Sequence, residues 1–489
     1  MIKREVIFAV LLILTLALGL RVYDLSAEGL WNDEAFSVHH ASEASTAAVM
    51  QNVAETEAAP WGYYVLLHYF GKVFGYGDFS MRFLSVIFSV LSILVLYLIG
   101  TRVLTIPETL LACLLMATSM LQVLYSQEAR LYSLFTFVVL TAAYCFILIL
   151  QTKKNKFYFW YLISIVVGLY VNYITFLIIL LFSLILLFFY KEKKELVTKM
   201  LVLHGFAGIL ALPLISLIYQ QFTHLNDGLT EALLLRNLPH FLASFGLFFY
   251  IIPVLIFLSF GSLIVVLILK HKKEIILKNR TLPDRLIFLC PLIVGIFYLS
   301  LCFWPLRAFG LSIIRTPITH SYFLIRHSFF LAPLFYVFLA KIIFSLNSKR
   351  WKAFAVFCLL LVNVVALGIY YHEPTRPQWK EATELIASSA GQKQPLILLD
   401  SAGISNTFLL KRYYLGDFRL VKLTWDERWD KIPVDELIKR VRGERDFWLI
   451  LSKATVTKEY YREVLDERYE RISSTEFLSI KVYHYAQRP

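Results

Sequence analysis

Trp61-Gly62-Tyr63-Tyr64-Val65-Leu66-Leu67-His68-Tyr69-Phe70-Gly71-Lys72-Val73-Phe74 is the stretch on which the topology of this chain turns. It is apolar, yet shorter than the about 20 residues a helix needs to cross the hydrocarbon core. Charge decides whether it crosses the bilayer or lies along its surface. If it crosses, the later loops alternate wrongly, and Lys153-Lys154-Asn155-Lys156 falls outside. If it lies in the interface, Arg102, Lys153–Lys156, Lys191–Lys194, Lys270–Lys273 and Lys349–Lys352 all face the cytoplasm, as the positive-inside rule expects. The stretch is read as interfacial.

Composition supports a membrane setting. Of 489 residues 58% are hydrophobic and only 17% charged, more apolar surface than a water-soluble fold hides. The formal charge of +13 comes in short runs between apolar segments, not as one patch, which argues against nucleic acid as a partner. The five cysteines (Cys113, Cys145, Cys290, Cys302, Cys358) all lie inside apolar segments, without metal-site spacing or an extramembrane disulfide framework.

The expected fold is mainly α. Spans are expected at 5–21, 81–101, 107–125, 130–150, 157–171, 173–190, 198–219, 241–269, 285–305, 326–346 and 352–371, about eleven transmembrane helices. Lys3-Arg4 places the N-terminus in the cytoplasm, and the apolar run from Val6 to Leu20 is read as an uncleaved first helix. Residues 21–80 form the first outer loop, with interfacial helices. A transmembrane catalytic domain over 1–371 is followed by a small extracytoplasmic α/β domain over 372–489. Its strand-like runs are Leu396–Leu399, Phe447–Leu451 and Phe477–Tyr485, with helical patterns at Val434–Val441 and Lys458–Leu465. The chain is thus expected to be a multi-pass protein of the inner (plasma) membrane.

On this topology polar groups gather on the outer face. Asp33 and Glu34 follow the first span, flanked by Trp31 and Phe36, which favour the interface. An isolated acidic pair is usually a solvated loop or a helix N-terminal charge. Here a carboxylate has the chemistry to take a proton from an attacking hydroxyl, or to ligate a divalent metal. Gln127-Glu128-Ala129-Arg130 places an acid and a base in one short turn. Taken alone, the turn reads as an ion pair closing a hairpin. In a functional reading Arg130 holds a donor phosphate and Glu128 orients it or binds sugar hydroxyls. Arg326-His327 invites a phosphate role too, though an outer-face arginine also anchors to headgroups. His39-His40 point to different sides of a helix and make a poor joint metal site. No Walker loop, no G-x-G-x-x-G and no zinc-protease motif occurs, so a transferred group would arrive on a lipid.

Arg21-Val22-Tyr23-Asp24-Leu25, Leu30-Trp31-Asn32-Asp33-Glu34-Ala35 and Pro60-Trp61-Gly62-Tyr63-Tyr64 together resemble the start of bacterial GT-C glycosyltransferases. The likeness is to the protein-mannosyltransferase and aminoarabinose-transferase-like group. Met81-Arg82-Phe83-Leu84-Ser85 and Tyr125-Ser126-Gln127-Glu128-Ala129-Arg130-Leu131-Tyr132 extend it. Arg326-His327 with Leu331-Ala332-Pro333 is similar to a late family segment, with His in place of the usual Tyr. Ala59-Pro60 stands where relatives often carry Pro-Pro.

The resemblance implies a sugar moved from a polyprenyl-phosphate donor to a hydroxyl acceptor at the outer leaflet, with inversion. Asp33 would be the base and Glu34 its partner. Gln127, Glu128, Arg130, Arg326 and Tyr63 would contact substrates. The partners implied are the lipid-linked donor, membrane lipid, and a glycan, lipid or protein acceptor. No cofactor is required, although Mg2+ or Mn2+ has a conceivable place at the acidic pair; no metal ligand set stands out. The competing reading is a transporter or flippase of an anionic lipid or sugar, which would favour internal repeats and midplane charges. Neither is visible in the sequence.

Overall fold

The structure, a computed structural model, describes residues 4–188, 190–191, 193–225, 329–390, 394–400, 404–423, 432–452 and 458–488. The expected spans 241–269 and 285–305 lie outside these residues, as do Arg326 and His327. The chain divides into two compact bodies. One comprises Met1–Tyr23, Glu43–Gly75 and Ser80–Tyr370; the other comprises Asp24–Ser42, Tyr76–Phe79 and Tyr371–Pro489.

The first body is helical. Its elements are α1 (Arg4–Val22), α3 (Thr46–Thr56), α4 (Gly62–Phe74), nearly all of α5 (Asp78–Val103), α6 (Ile106–Thr118), α7 (Met120–Ser126), α8 (Tyr132–Thr152), α9 (Asn155–Val171), α10 (Ile174–Phe188), α11 (Lys194–Leu210) and α12 (Pro213–Leu225). Further on come α13 (Ala332–Ser345) and α14 (Lys349–His372). Among the described helices α1, α5, α8 and α14 are long and apolar enough to cross a membrane.

Two expected spans are corrected in form. The 107–125 segment is broken at Ser119, where α7 leaves the axis of α6 by 56°. The 198–219 segment bends by 58° before Pro213, whose ring cannot continue the α11 hydrogen-bond ladder. In a membrane the carbonyls freed by such a break need internal partners. At Ser119 the buried Arg21 supplies them, donating to Met116 O at 3.2 Å and Ala117 O at 3.0 Å. Arg21 also donates to Ser89 Oγ at 2.8 Å, tying α1 to α5 and α6.

The opening stretch forms α4, a helix of 13 residues. Tyr63, Tyr64, Leu67, His68 and Gly71 are buried on one side, while Leu66, Tyr69, Val73 and Phe74 are exposed on the other. That division suits a helix lying in an interface.

The second body holds α2 (Asn32–Ala41), α15 (Trp379–Ala390) and a five-stranded sheet of order β2-β1-β3-β5-β4. β1 (Leu396–Leu399) pairs in parallel with β2 (Arg419–Lys422) and β3 (Asp446–Ser452). α16 (Ile404–Tyr413) connects β1 to β2, and α17 (Val434–Val441) lies between β2 and β3. After α18 (Lys458–Arg468), β4 (Tyr469–Phe477) and β5 (Ile480–Gln487) form an antiparallel hairpin. The expected strand-like run Phe477–Tyr485 falls mainly on β5, with Phe477 as the last residue of β4 and Ser479 at φ 64° in the turn between them. β4 escaped notice because its exposed residues carry little apolar pattern. Leu398, Phe447, Leu449 and Tyr485 pack with Leu437, Val441, Tyr461 and Leu465 to form the core.

Candidate active site

In the helical body a buried charge pair marks the region around Arg130. Its Nη1 donates to Glu57 Oε1 at 2.8 Å and its Nη2 to Glu57 Oε2 at 3.4 Å, a two-pronged arrangement. The partner this fork meets at these distances, Glu57, was not among the residues singled out from the sequence. Glu57 follows the last turn of α3, and sequence reasoning missed it; its only signal was an acid three residues before Pro60 in an aromatic-rich outer loop. Tyr64 on α4 joins the pair. Burial pushes its hydroxyl well above the usual phenol range, the Arg130 guanidinium draws it down, and the Glu57 carboxylate adds to the rise.

Gln127, Glu128 and Tyr63 are buried in the same body. Gln127 is engaged at both ends of its amide. Nε2 donates to Arg21 O at 3.0 Å and Tyr23 O at 2.7 Å, and Oε1 accepts from Tyr370 OH at 2.6 Å. The turn carrying Glu128 and Arg130 is thereby tied to the end of α1 and to α14. Tyr63 packs edge-on against Tyr64, with ring centroids 5.6 Å apart.

The acidic pair belongs to the second body. Asp33 and Glu34 sit in the first turn of α2, where the helix dipole favours negative charge. Asp33 is partly exposed and Glu34 is fully buried. Glu34 Oε2 accepts from Trp31 N at 3.4 Å, a capping-box contact, and lies 3.9 Å from Arg376 Nε. Arg376 also approaches Glu28, at 3.8 Å. Nothing in the sequence singled out Arg376, since a basic residue in a mixed-charge domain carries no pattern. His39 packs against Phe408, and His40 is buried. Among the described residues no three His, Cys, Asp or Glu side chains gather as a metal site would require.

Residues 58–219 match the family described as dolichyl-phosphate-mannose-protein mannosyltransferase. The whole-chain likeness is to ArnT from Cupriavidus metallidurans, solved with undecaprenyl phosphate. Identity is 12%, 97% of each chain is covered, and the TM-score is 0.52. The chain shares the fold of ArnT. The archaeal oligosaccharyltransferase AglB from Archaeoglobus fulgidus, solved with an inhibitory peptide and a dolichol-phosphate, is similar at 13% identity and a TM-score of 0.50. That match covers 99% of this chain and 74% of AglB. No curated protein matches the chain in sequence. The family match and the apolar helices make it a multi-pass membrane protein.

Proposed function

We propose that this ArnT-like chain is an integral-membrane glycosyltransferase that moves a sugar from a polyprenyl-phosphate donor to a hydroxyl acceptor. The observation that carries the proposal is the match of residues 58–219 to a family named for a lipid-phosphate sugar donor. The fold shared with ArnT, solved with undecaprenyl phosphate, supports it.

In this reading Asp33 is the base. It takes the proton from the acceptor hydroxyl as that oxygen bonds to the anomeric carbon. The bond from that carbon to the phosphate oxygen breaks on the opposite face, so configuration inverts and polyprenyl phosphate leaves. Arg130 is the donor-phosphate ligand, aided by Arg326. A guanidinium offers five N–H donors, and the Glu57 pair takes one on each of two nitrogens. Glu57 thus presets the plane of the fork. Glu128 and Tyr63 contact the sugar or acceptor, whereas Gln127 holds the turn. The barrier falls through positioning and stabilisation of the leaving phosphate. The topology that goes with this reading has about eleven spans in the inner membrane, the N-terminus in the cytoplasm and chemistry at the outer face.

Purified protein in lipid nanodiscs, given a radiolabelled polyprenyl-phosphate sugar, should transfer label, and Asp33→Asn should lower turnover by about 10²- to 10⁴-fold while eluting as folded protein. Full turnover in Asp33→Asn removes Asp33 as the base. Lipid scrambling without sugar transfer in the parent protein points to the transporter reading instead.

A further inference from the structure

The sheet domain raises a question the reaction alone does not answer, namely what its own crevice is for. β1 sits between β2 and β3. The chain therefore leaves β1 toward one side of the sheet and returns on the other, the switch point at which open α/β sheets bind ligands. Three buried polar residues mark that place. Asp400 directly follows β1, Asn406 lies in the first turn of α16, and Ser452 ends β3. Ser452 N donates to Asp400 Oδ2 at 2.8 Å, and Asn406 Nδ2 lies 3.5 Å from Ser452 Oγ.

The group that enters this crevice comes from the chain itself. Asn32, immediately before Asp33, donates its amide to Asn406 Oδ1 at 2.9 Å. The surrounding contacts repeat the theme. Leu30 N donates to Tyr413 OH at 2.6 Å, and that hydroxyl donates to Asp78 Oδ2 at 2.7 Å. Arg412 grips the same Asp78 through Nε at 2.9 Å and Nη2 at 2.6 Å. Glu28 accepts from Thr375 N and Oγ1 at 2.6 and 2.8 Å. Gly29 passes so close that a Cβ there would stand 3.2 Å from the Lys380 side chain and 3.3 Å from Tyr413. Glu34, immediately after Asp33, is the residue beside Arg376.

We propose that the sheet domain holds the acidic turn in place, with Asn406 and Arg376 as positioning residues that fix Asp33 through its two neighbours. The proposal rests on the reading of Asp33 as base. A base must be held within a fraction of an ångström of its working geometry, and a helix first turn projecting from a loop of an otherwise membrane-bound chain has no intrinsic rigidity of that order. The crevice residues supply it from Asn32, and Arg376 supplies it from Glu34.

The test uses the full chain in nanodiscs with the same radiolabelled donor. Asn32→Ala and Asn406→Ala are each expected to lower kcat by about 10- to 100-fold with the donor KM unchanged. The double variant should be no slower than the slower single, because one hydrogen bond links the pair. Asn406→Asp, which keeps an acceptor for the Asn32 amide, should recover most of the rate. Amide hydrogen exchange over residues 30–38 should speed up in Asn406→Ala and stay slow in Asn406→Asp. Unchanged exchange in Asn406→Ala, multiplying single effects, or a raised KM at constant kcat would each overturn the positioning role. Exchange reads the docking without any activity. Full transfer by Asp33→Asn would therefore sink the base reading while leaving the exchange result standing.

Discussion

Replacing Glu57 by glutamine isolates the buried pair of the helical body. Both side chains are only about one-tenth exposed, and the carboxylate meets two guanidinium nitrogens, one at 2.8 Å. Glutamine keeps the shape but removes the counter-charge that meets the buried Arg130 fork. Breaking a buried pair from one side costs about 3–5 kcal/mol, which is roughly two to more than three powers of ten in the unfolding equilibrium. Removing both charges with apolar residues of similar volume, Glu57→Leu with Arg130→Met, should cost less than Glu57→Gln alone. The measurement is the midpoint of reversible unfolding in mixed micelles of rising dodecyl sulfate content, followed by tryptophan fluorescence. The reasoning fails if Glu57→Gln falls within about 1 kcal/mol of the parent, since that is how an exposed pair behaves. It fails too if the double variant is the sum of the singles. Transfer assays add a second reading. Arg130→Lys keeps the charge but not the planar fork, and should raise the donor KM more than it lowers kcat.

Three further outcomes follow from the same structure. Gly62→Ala would drive a methyl into the backbone carbonyl of Tyr170, where no side chain is able to swing away, so the same unfolding midpoint should fall by about 1–3 kcal/mol; Gly205→Ala, with open space around it, should be neutral or gain up to about 1 kcal/mol. Burial pushes the Tyr461 hydroxyl up to about 12, against about 10 in an unfolded chain; its contribution is full below pH 10 and is lost as pH rises from 10 to 12, so Tyr461→Phe should flatten the fall of the urea midpoint over that window. EDTA should leave sugar transfer unchanged, because among the described residues no three His, Cys, Asp or Glu side chains gather as an Mg2+ or Mn2+ shell would need; inhibition reversed by Mg2+ or Mn2+ would overturn that view.

The sequence made α4 legible because length and charge are local quantities. A largely apolar stretch of fourteen residues is short for a span, and a helix of 13 residues with one buried side is what forms there. The resemblance that named the GT-C group likewise rested on short contiguous motifs, and the fold agrees. The breaks at Ser119 and Pro213 were less legible. Hydropathy averages over a window and treats 107–125 as one apolar run, although Arg21, nearly a hundred residues earlier, supplies the donors that let the helix break there. The Arg130 partner was illegible for the same reason. Glu128 is two residues away and invites a local pair, whereas Glu57 is 73 residues away. β4 was missed because an edge strand exposed to water carries no apolar alternation to read.

The acidic pair shows what such long-range contacts decide. From the sequence, Asp33 and Glu34 are equivalent carboxylates in one helical turn, and either has the chemistry of a base. Their surroundings differ in kind. Glu34 points back to the start of its own helix and toward Arg376, buried where neither an acceptor hydroxyl nor water would reach it. Asp33 keeps partial exposure and stands between two residues anchored to the sheet domain. A general base has to meet its substrate, and a buried capping carboxylate does not. On the proposed reading, the contacts that engage Glu34 are those that would give Asp33 a fixed direction. On this argument Glu34→Gln should retain a substantial part of the turnover that Asp33→Asn loses, with its defect appearing in the exchange of residues 30–38. Equal losses in the two variants, with exchange untouched, would mean that the pair acts as a chemical unit after all.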